Sequence, residues 1–225
     1  MKKLQRNNFS YLLGGLLSLF VLLPGLRLGL GATVEADVLR PILLVAFSFF
    51  TMVSVWSLSR DEGIFRYGLA IAVLNIAISV VALFFHERLL EIVSSLSVIV
   101  FSVLSCYIAG RHVFSFRDTD ANSLVGAVCV YLLLGLIWAM VYGVFTALWP
   151  QGAFQGLVFN EKITQFDSYL YFSFVTLTTA GYGDITPVNP VLRTVAYMEM
   201  ITGQFYMAIL VSGLVAHFMG QRMPK

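Results

Sequence analysis

The sequence predicts an all-α membrane protein with six transmembrane helices, and three observations support this fold class. Of the 225 residues, 59% are hydrophobic and only 12% are charged, whereas soluble domains carry about 25% charged residues. Six apolar stretches reach the ~20 residues that a spanning helix needs. A shorter apolar run lies between the last two stretches and precedes a glycine-rich motif. We therefore expect lipid to surround most of the chain.

The six predicted spans follow one another with mostly short connections. Their bounds are 10–31, 38–58, 66–86, 91–110, 123–149 and 190–219. The first span is broken by Pro24 and carries Arg27 near its end. Because it has spanning length and no small-residue cleavage site follows, we interpret it as a membrane helix and not as a signal peptide. The spans predict two domains, a four-helix domain over 1–122 and a second domain over 123–225.

The distribution of basic residues predicts a multi-pass protein of the cell membrane with both termini in the cytoplasm. With six crossings, nine of the 14 lysines and arginines fall on the side of the termini and five on the other side. Short cytoplasmic loops are enriched in these residues. The tail after the sixth span, 221–225, predicts no cytoplasmic ligand-binding domain. The net charge of +2 and the lack of long basic blocks argue against a nucleic acid partner.

The most informative motif is the run Thr-Thr-Ala-Gly-Tyr-Gly-Asp over 178–184. A potassium ion that enters a pore exchanges its water shell for oxygens, and consecutive backbone carbonyls supply these oxygens when they point inward. Alternating left- and right-handed backbone conformations align the carbonyls, and glycine reaches positive φ without steric cost. The spacing of Gly181 and Gly183 around Tyr182 fits this requirement. The motif predicts a selectivity filter formed by Thr179, Ala180, Gly181, Tyr182 and Gly183.

Four copies of the filter around one axis would form stacked oxygen cages through which ions pass by knock-on. We expect K⁺ at Thr179, Ala180, Gly181 and Tyr182, with the Thr179 hydroxyl as the innermost ring. The expected partners are therefore identical subunits in a homotetramer, surrounded by membrane lipid. No cofactor is expected apart from K⁺ as the permeant ion, and the protein is not expected to be an enzyme.

The segment before the filter, 166–175, is too short to cross a bilayer and predicts a re-entrant pore helix. Asp167 is the expected N-cap, and the helix would direct its negative C-terminal end at the ion path. Two aromatic residues of this helix are expected to pack behind Tyr182 and fix the width of the filter. The residues expected to support the filter are Thr178, Asp184, Tyr171 and Phe172.

Residues 123–220 resemble the pore module of tetrameric potassium channels, which consists of an outer helix, a pore helix, the filter and an inner helix. The resemblance is close from Asp167 to Gly203 and implies passive, potassium-selective conduction. Many members of this family place a glutamate on the pore helix that pairs with the aspartate after the filter. Val175 occupies that position here, so the resemblance does not extend to a carboxyl pair.

The sixth span contains two residues with alternative roles, and with Gln204 and Tyr206 they resemble the inner helix of small prokaryotic potassium channels. Gly203 is either a gating hinge or a small residue that permits close helix packing. Glu199 is a carboxyl group inside a span, where such groups are costly and face a partner or water. It could act behind the filter near pore-helix hydroxyls, enrich cations in the cavity, or simply bond to Thr or Tyr neighbours. A functional role predicts that Glu199→Gln changes conductance or gating.

The fourth span, 91–110, lacks the arginines that a voltage sensor needs, since Arg88 precedes it and Arg111 follows it. Moving one charge across the membrane field contributes about 2.3 kcal/mol per 100 mV, so this span predicts weak or absent voltage dependence. Its serines and Asn75 of the third span are expected to mediate helix packing. The sequence does not identify the stimulus that opens the pore.

The alternatives are a voltage-gated or non-selective cation channel and a subunit of a potassium transporter. Such transporters use several degenerate pore loops in one chain, whereas this chain has one complete filter.

Overall fold

The computed structural model describes residues 9–30, 46–47, 49–50, 62–84, 88–113, 121–149, 152–157 and 162–222. Its helices are α1 (Phe9–Leu30), α2 (Glu62–Phe84), α3 (Arg88–Val113), α4 (Ala121–Leu148), α5 (Lys162–Leu177) and α6 (Pro190–Arg222). Two short strands, β1 (Phe154–Gln155) and β2 (Thr186–Pro187), form an antiparallel pair. Residues 46–47 and 49–50 are also helical, and the rest of the predicted span 38–58 lies outside the described residues.

Three helices in the described part of the chain are long and apolar enough to cross a membrane. They are Ile92–Arg111 within α3, Asn122–Leu148 within α4 and Pro190–Gly213 within α6. Helices α1 and α2 contain shorter apolar stretches, Phe9–Val21 and Leu69–Ile78. The mostly helical architecture agrees with the predicted all-α class of membrane protein.

Two local expectations are wrong. Helix α1 continues through Pro24, since neighbouring groups in a membrane protein can satisfy the backbone carbonyl that a proline frees. Helix α5 begins at Lys162, so Asp167 lies inside the helix and is not its N-cap. No glycine or proline interrupts the chain between Lys162 and Asp167, and the helix therefore begins before the segment 166–175 that was predicted as the pore helix.

Helix α4 lies at the centre of the described fold. Its fully or nearly fully buried residues Cys129, Leu133, Leu136 and Met140 recur every three or four positions, which places them on one helix face. Helices α1, α3, α5 and α6 all pack against α4. The hydrophobic cluster consequently contains side chains from both sequence-predicted domains, because α1 and α3 share it with the helices around the filter.

Polar side chains also connect the helices, and two of these hydrogen bonds involve Asn75 and Tyr206. Asn75 of α2 donates to the Ser97 hydroxyl of α3 over 3.2 Å, which confirms Asn75 as a partnered structural group. The Tyr206 hydroxyl of α6 donates to the Ala127 carbonyl of α4 over 2.6 Å. The second bond fixes α6 against α4.

Candidate functional site

The loop that follows α5 has the backbone alternation expected of a filter. Positive φ occurs at every second residue, at Thr179 (58°), Gly181 (56°) and Gly183 (80°). The expectation for the two glycines is confirmed. The value at Thr179 is a finding, since a β-branched residue in this region is an outlier that costs on the order of 1–3 kcal/mol. A site that retains such strain has a geometry imposed by its surroundings.

The first half of this loop is suspended from the C-terminal turn of α5. The amide of Ala180 donates to the Val175 carbonyl over 2.9 Å, and the amide of Thr179 donates to the Thr176 carbonyl over the same distance. The Thr178 hydroxyl donates to the Phe174 carbonyl over 2.6 Å. The position of the loop therefore depends directly on the position of the last turn of α5.

The outer end of the loop is held by Tyr171 of α5. Its hydroxyl donates to the Asp184 carboxylate over 2.7 Å, and its ring stacks on Tyr182 with centroids 6.5 Å apart. The hydrogen bond lowers the pKa of Asp184 and raises the pKa of Tyr171 from their ordinary values. Tyr182 is 74% exposed in a single chain, which leaves most of its ring surface available to another protein surface.

Phe172 does not pack behind Tyr182, so that expectation is wrong within one chain. Adjacent helix positions project about 100° apart, and when Tyr171 faces the filter Phe172 faces the body of the protein. Its ring contacts Tyr142 and Phe154, with centroids 5.0 Å and 5.1 Å away. Phe172 thus anchors α5, which carries the loop, to α4 and to β1.

The strand pair fixes the backbone beyond the filter. Residue Gln155 pairs with Thr186, and the Arg193 side chain donates to the Pro187 carbonyl over 3.0 Å. Gly156 has φ of +88°, and a Cβ at this position would lie 1.9 Å from the Asp184 carbonyl oxygen. Only glycine permits this approach. This contact could not be identified from the sequence, because it joins residues 28 positions apart.

Helix α6 contacts the inner end of the loop through two neighbouring residues. A Cβ on Gly203 would lie 2.1 Å from the Leu177 carbonyl oxygen at the end of α5, so close packing requires glycine here. Helix α6 is continuous through this position. Gln204 donates from its side-chain amide to the Thr179 hydroxyl over 3.2 Å. Sequence reasoning noted Gln204 without assigning it this contact with the predicted innermost K⁺ ligand.

Glu199 is completely buried between three helices. Its Oε2 accepts a hydrogen bond from Tyr142 of α4, and its Oε1 lies at hydrogen-bond distance from the Ser173 hydroxyl of α5, with 2.5 Å in both contacts. The structure thus places Glu199 beside a hydroxyl of α5, which agrees with one alternative drawn from the sequence. It also bonds Glu199 to a tyrosine, which agrees with another. Tyr142 and Ser173 are among the polar residues in apolar segments that could partner a buried carboxyl group, but their sequence positions do not distinguish them from the other candidates.

Comparison with known proteins agrees with this geometry. Residues 126–219 match the family model described as ion channel. The matched region contains most of α4, all of α5, the loop after it and most of α6. With its apolar helices, the chain is a membrane protein.

Curated relatives of this segment include several potassium channels. Two-pore potassium channel 2 of Arabidopsis thaliana is 42% identical over 103 residues, which cover 46% of this chain and 20% of the relative. Two-pore potassium channel 4 of the same plant is 29% identical over 104 residues, 45% of this chain and 35% of the relative. Voltage-gated potassium channel Kch of Escherichia coli (strain K12) is 26% identical over 103 residues, 46% of this chain and 24% of the relative.

These matches confirm the resemblance of the pore segment to potassium-channel pores. They span only about a third or less of the length of these relatives.

Proposed function

We propose that the chain is one subunit of a potassium-selective channel that conducts K⁺ passively across the cell membrane. The observation that carries the proposal is the alternation of positive φ at Thr179, Gly181 and Gly183 in a loop suspended from α5. Such alternation turns successive carbonyls to one side, where they replace the hydration shell of a dehydrated cation. The relatives' names support K⁺ as that cation.

The proposed assembly is a homotetramer in which each subunit has six spans, a re-entrant pore helix and cytoplasmic termini. One filter loop supplies one side of each ion site, and residues 178–184 are all exposed in the single chain. A groove of about 380 Å³ behind the loop, lined by Tyr171, Val175 and Tyr182 among others, provides a surface for a neighbouring subunit. A closed ring of identical subunits around the ion would complete each ion site and cover the groove behind the loop.

We further propose that voltage does not drive opening, since α3 carries arginine only at Arg88 and Arg111, near its ends. A non-selective cation channel and a potassium transporter are the alternatives, and measurements of ion flux distinguish them. A channel passes ions down their gradient in discrete single-channel currents, whereas a transporter shows no discrete currents of that size.

The test is the reversal potential of the purified protein in planar bilayers with unequal K⁺ and Na⁺ solutions. We expect currents that reverse near the K⁺ equilibrium potential, with an open probability that changes little with voltage. Equal permeability to Na⁺ would contradict potassium selectivity, and steep activation by several charges would contradict voltage independence.

A matched pair of variants assigns the current to the filter. Gly181→Ala and Gly152→Ala both place a Cβ at positive φ in open space, so both impose similar backbone strain. Only Gly181 lies in the filter loop, and only Gly181→Ala is expected to abolish K⁺ selectivity. If both variants conduct K⁺ selectively, the assignment of the filter is wrong.

A further inference from the structure

The buried carboxyl group of Glu199 forms a cluster with Tyr142, Ser173 and the carbonyl of Gly135, here called the Glu199 cluster. The cluster joins α4, α5 and α6 at one point. Among the described residues, the polar contacts of the carboxyl group are the Tyr142 and Ser173 hydroxyls, with no cationic side chain. A buried carboxylate without a cationic partner is costly, so the hydrogen bonds of the cluster indicate how the group is accommodated.

Counting protons in the cluster assigns the charge state of Glu199. The Ser173 hydroxyl oxygen lies 2.8 Å from the Gly135 carbonyl and 2.5 Å from Glu199 Oε1, but a hydroxyl has one proton to donate. The carbonyl of Gly135 can only accept. Both contacts are hydrogen bonds only when Ser173 donates to Gly135 and Glu199 Oε1 carries a proton donated to Ser173. The Tyr142 hydroxyl donates to Oε2, and every oxygen in the cluster then has a suitable partner.

We propose that Glu199 is protonated and neutral, and that it acts as a positioning residue which holds the last turns of α5 and thereby the filter. This inference rests on the proposed function as a potassium channel. It goes beyond that function in assigning both the charge state of Glu199 and the path by which α6 affects ion selectivity.

The path from the Glu199 cluster to the filter is short. Ser173 directly precedes Phe174, Val175 and Thr176, whose carbonyls accept the hydrogen bonds from the loop. A Cβ on Gly135 would lie 2.6 Å from the Phe174 ring, so α4 packs closely against this ring of α5. Loss of the hydrogen bonds at Ser173 would allow the turn that carries the filter to move.

The charge state reverses the expectation that the sequence alone provided for Glu199→Gln. A glutamine amide donates to Ser173 and its carbonyl accepts from Tyr142, so it reproduces both contacts of a protonated glutamate. We expect Glu199→Gln to retain the K⁺/Na⁺ permeability ratio and the thermal stability of the wild type. We expect Glu199→Leu, which removes both contacts, to lower the permeability ratio on the order of tenfold.

Two further variants keep the test decisive if Glu199→Leu fails to fold. Ser173→Ala removes one hydrogen-bond partner with a minimal change of volume and is expected to lower the ratio by a smaller factor. Met198→Leu, at the exposed neighbouring position, is the control and should leave the ratio unchanged. Wild-type selectivity in both Glu199→Leu and Ser173→Ala would overturn the positioning role.

An infrared difference spectrum tests the charge state without any measurement of conduction. Subtraction of Glu199→Gln from the wild type should show the carbonyl stretch of a protonated carboxyl group at neutral pH. A carboxylate band instead, or Glu199→Gln behaving like Glu199→Leu, would overturn the proposal. If the wild type does not select K⁺, the proposed function fails, whereas the spectrum and the thermal stabilities still decide whether Glu199 is a neutral hydrogen-bonding group.

Discussion

At the scale of one residue, Gly203 lies where α6 tolerates no side chain beside the end of α5. Its α carbon faces the last carbonyl of α5, and the 2.1 Å that a Cβ would have to Leu177 O is far below van der Waals contact. The sequence left a hinge and a packing role open for this glycine. The structure provides a physical reason for the packing role, and the continuity of α6 through the position requires no bend.

Gly203→Ala is expected to displace α6 from α5 and to destabilise the folded protein by about 1–3 kcal/mol, the usual cost of overpacking. Gly143→Ala in α4 is the matched control, because its Cβ would meet Tyr169 at an ordinary 3.6 Å. Thermal unfolding in detergent measures both variants. Equal melting temperatures for the two would contradict the close contact at Gly203.

Tyr171 and Asp184 predict a pH dependence at the outer end of the filter. Their hydrogen bond lowers the pKa of Asp184, so its stabilising effect is complete above the ordinary carboxyl pKa near 4. The effect is lost as the pH falls through the lowered pKa. We expect K⁺ currents to be steady from neutral pH down to about pH 4 and to decline or become unstable below it.

Tyr171→Phe keeps the ring that stacks on Tyr182 and removes only the hydroxyl that donates to Asp184. The variant should show its altered current already at neutral pH, with little further change on acidification through the same range. Current recordings with the outer solution titrated provide the comparison. An identical acid response in Tyr171→Phe and the wild type would exclude this bond as the cause.

Helix α5 depends on aromatic packing at the scale of an element. Sixteen residues form a helix of about 24 Å at 1.5 Å per residue, shorter than the ~30 Å hydrocarbon core. The helix must therefore be positioned by neighbours within the protein. Phe172 positions α5 by contacting Tyr142 of α4 and Phe154 of β1. Phe20 of α1 also packs edge-on against Phe174 of α5, with ring centroids 5.4 Å apart.

Phe172→Ala should lower the free energy of unfolding by about 3–5 kcal/mol, since a buried phenylalanine is replaced by a cavity. Phe49→Ala makes the same chemical change at a position that is exposed in the chain and serves as the control. Chemical or thermal unfolding followed by tryptophan fluorescence measures the difference. A similar loss in both variants would show that the aromatic cluster has no special role.

At the scale of the whole molecule, the ion itself is expected to stabilise the assembly. In the proposed tetramer, each K⁺ binds oxygens from four subunits, so bound ions resist both unfolding and dissociation. A ligand present at 100 times its Kd contributes about 2.7 kcal/mol. The stability of the assembly should therefore depend on which cation the filter binds.

Replacing K⁺ by Na⁺ in the buffer should therefore lower the melting temperature of the tetramer, measured by native gel electrophoresis or mass spectrometry of heated samples. Gly181→Ala should abolish the difference between the two ions, whereas Gly152→Ala should preserve it. A monomer in both ions would contradict the proposed assembly.

The sequence alone was sufficient where function depends on local backbone chemistry. The glycines at 181 and 183 could be predicted to have positive φ, because no other residue reaches that region freely. The apolar composition determined that lipid surrounds the chain, and the lack of arginine within 91–110 bears on voltage without any coordinates. The continuity of α1 through Pro24 could not be predicted in this way, because neighbouring groups in a membrane protein can satisfy the backbone carbonyl that a proline frees.

Tertiary structure decided what depends on distance between remote residues. Nothing local in Ser173, Tyr142 or Glu199 indicates that three helices bring them together, or that one hydroxyl lies between a carbonyl and a carboxyl group. The close approach of Gly203 to the Leu177 carbonyl, and the rotation of Phe172 away from Tyr182, likewise follow only from how the helices meet. The filter motif is fixed by the stereochemistry of five consecutive residues, whereas its position is fixed by side chains that only the folded chain places around it.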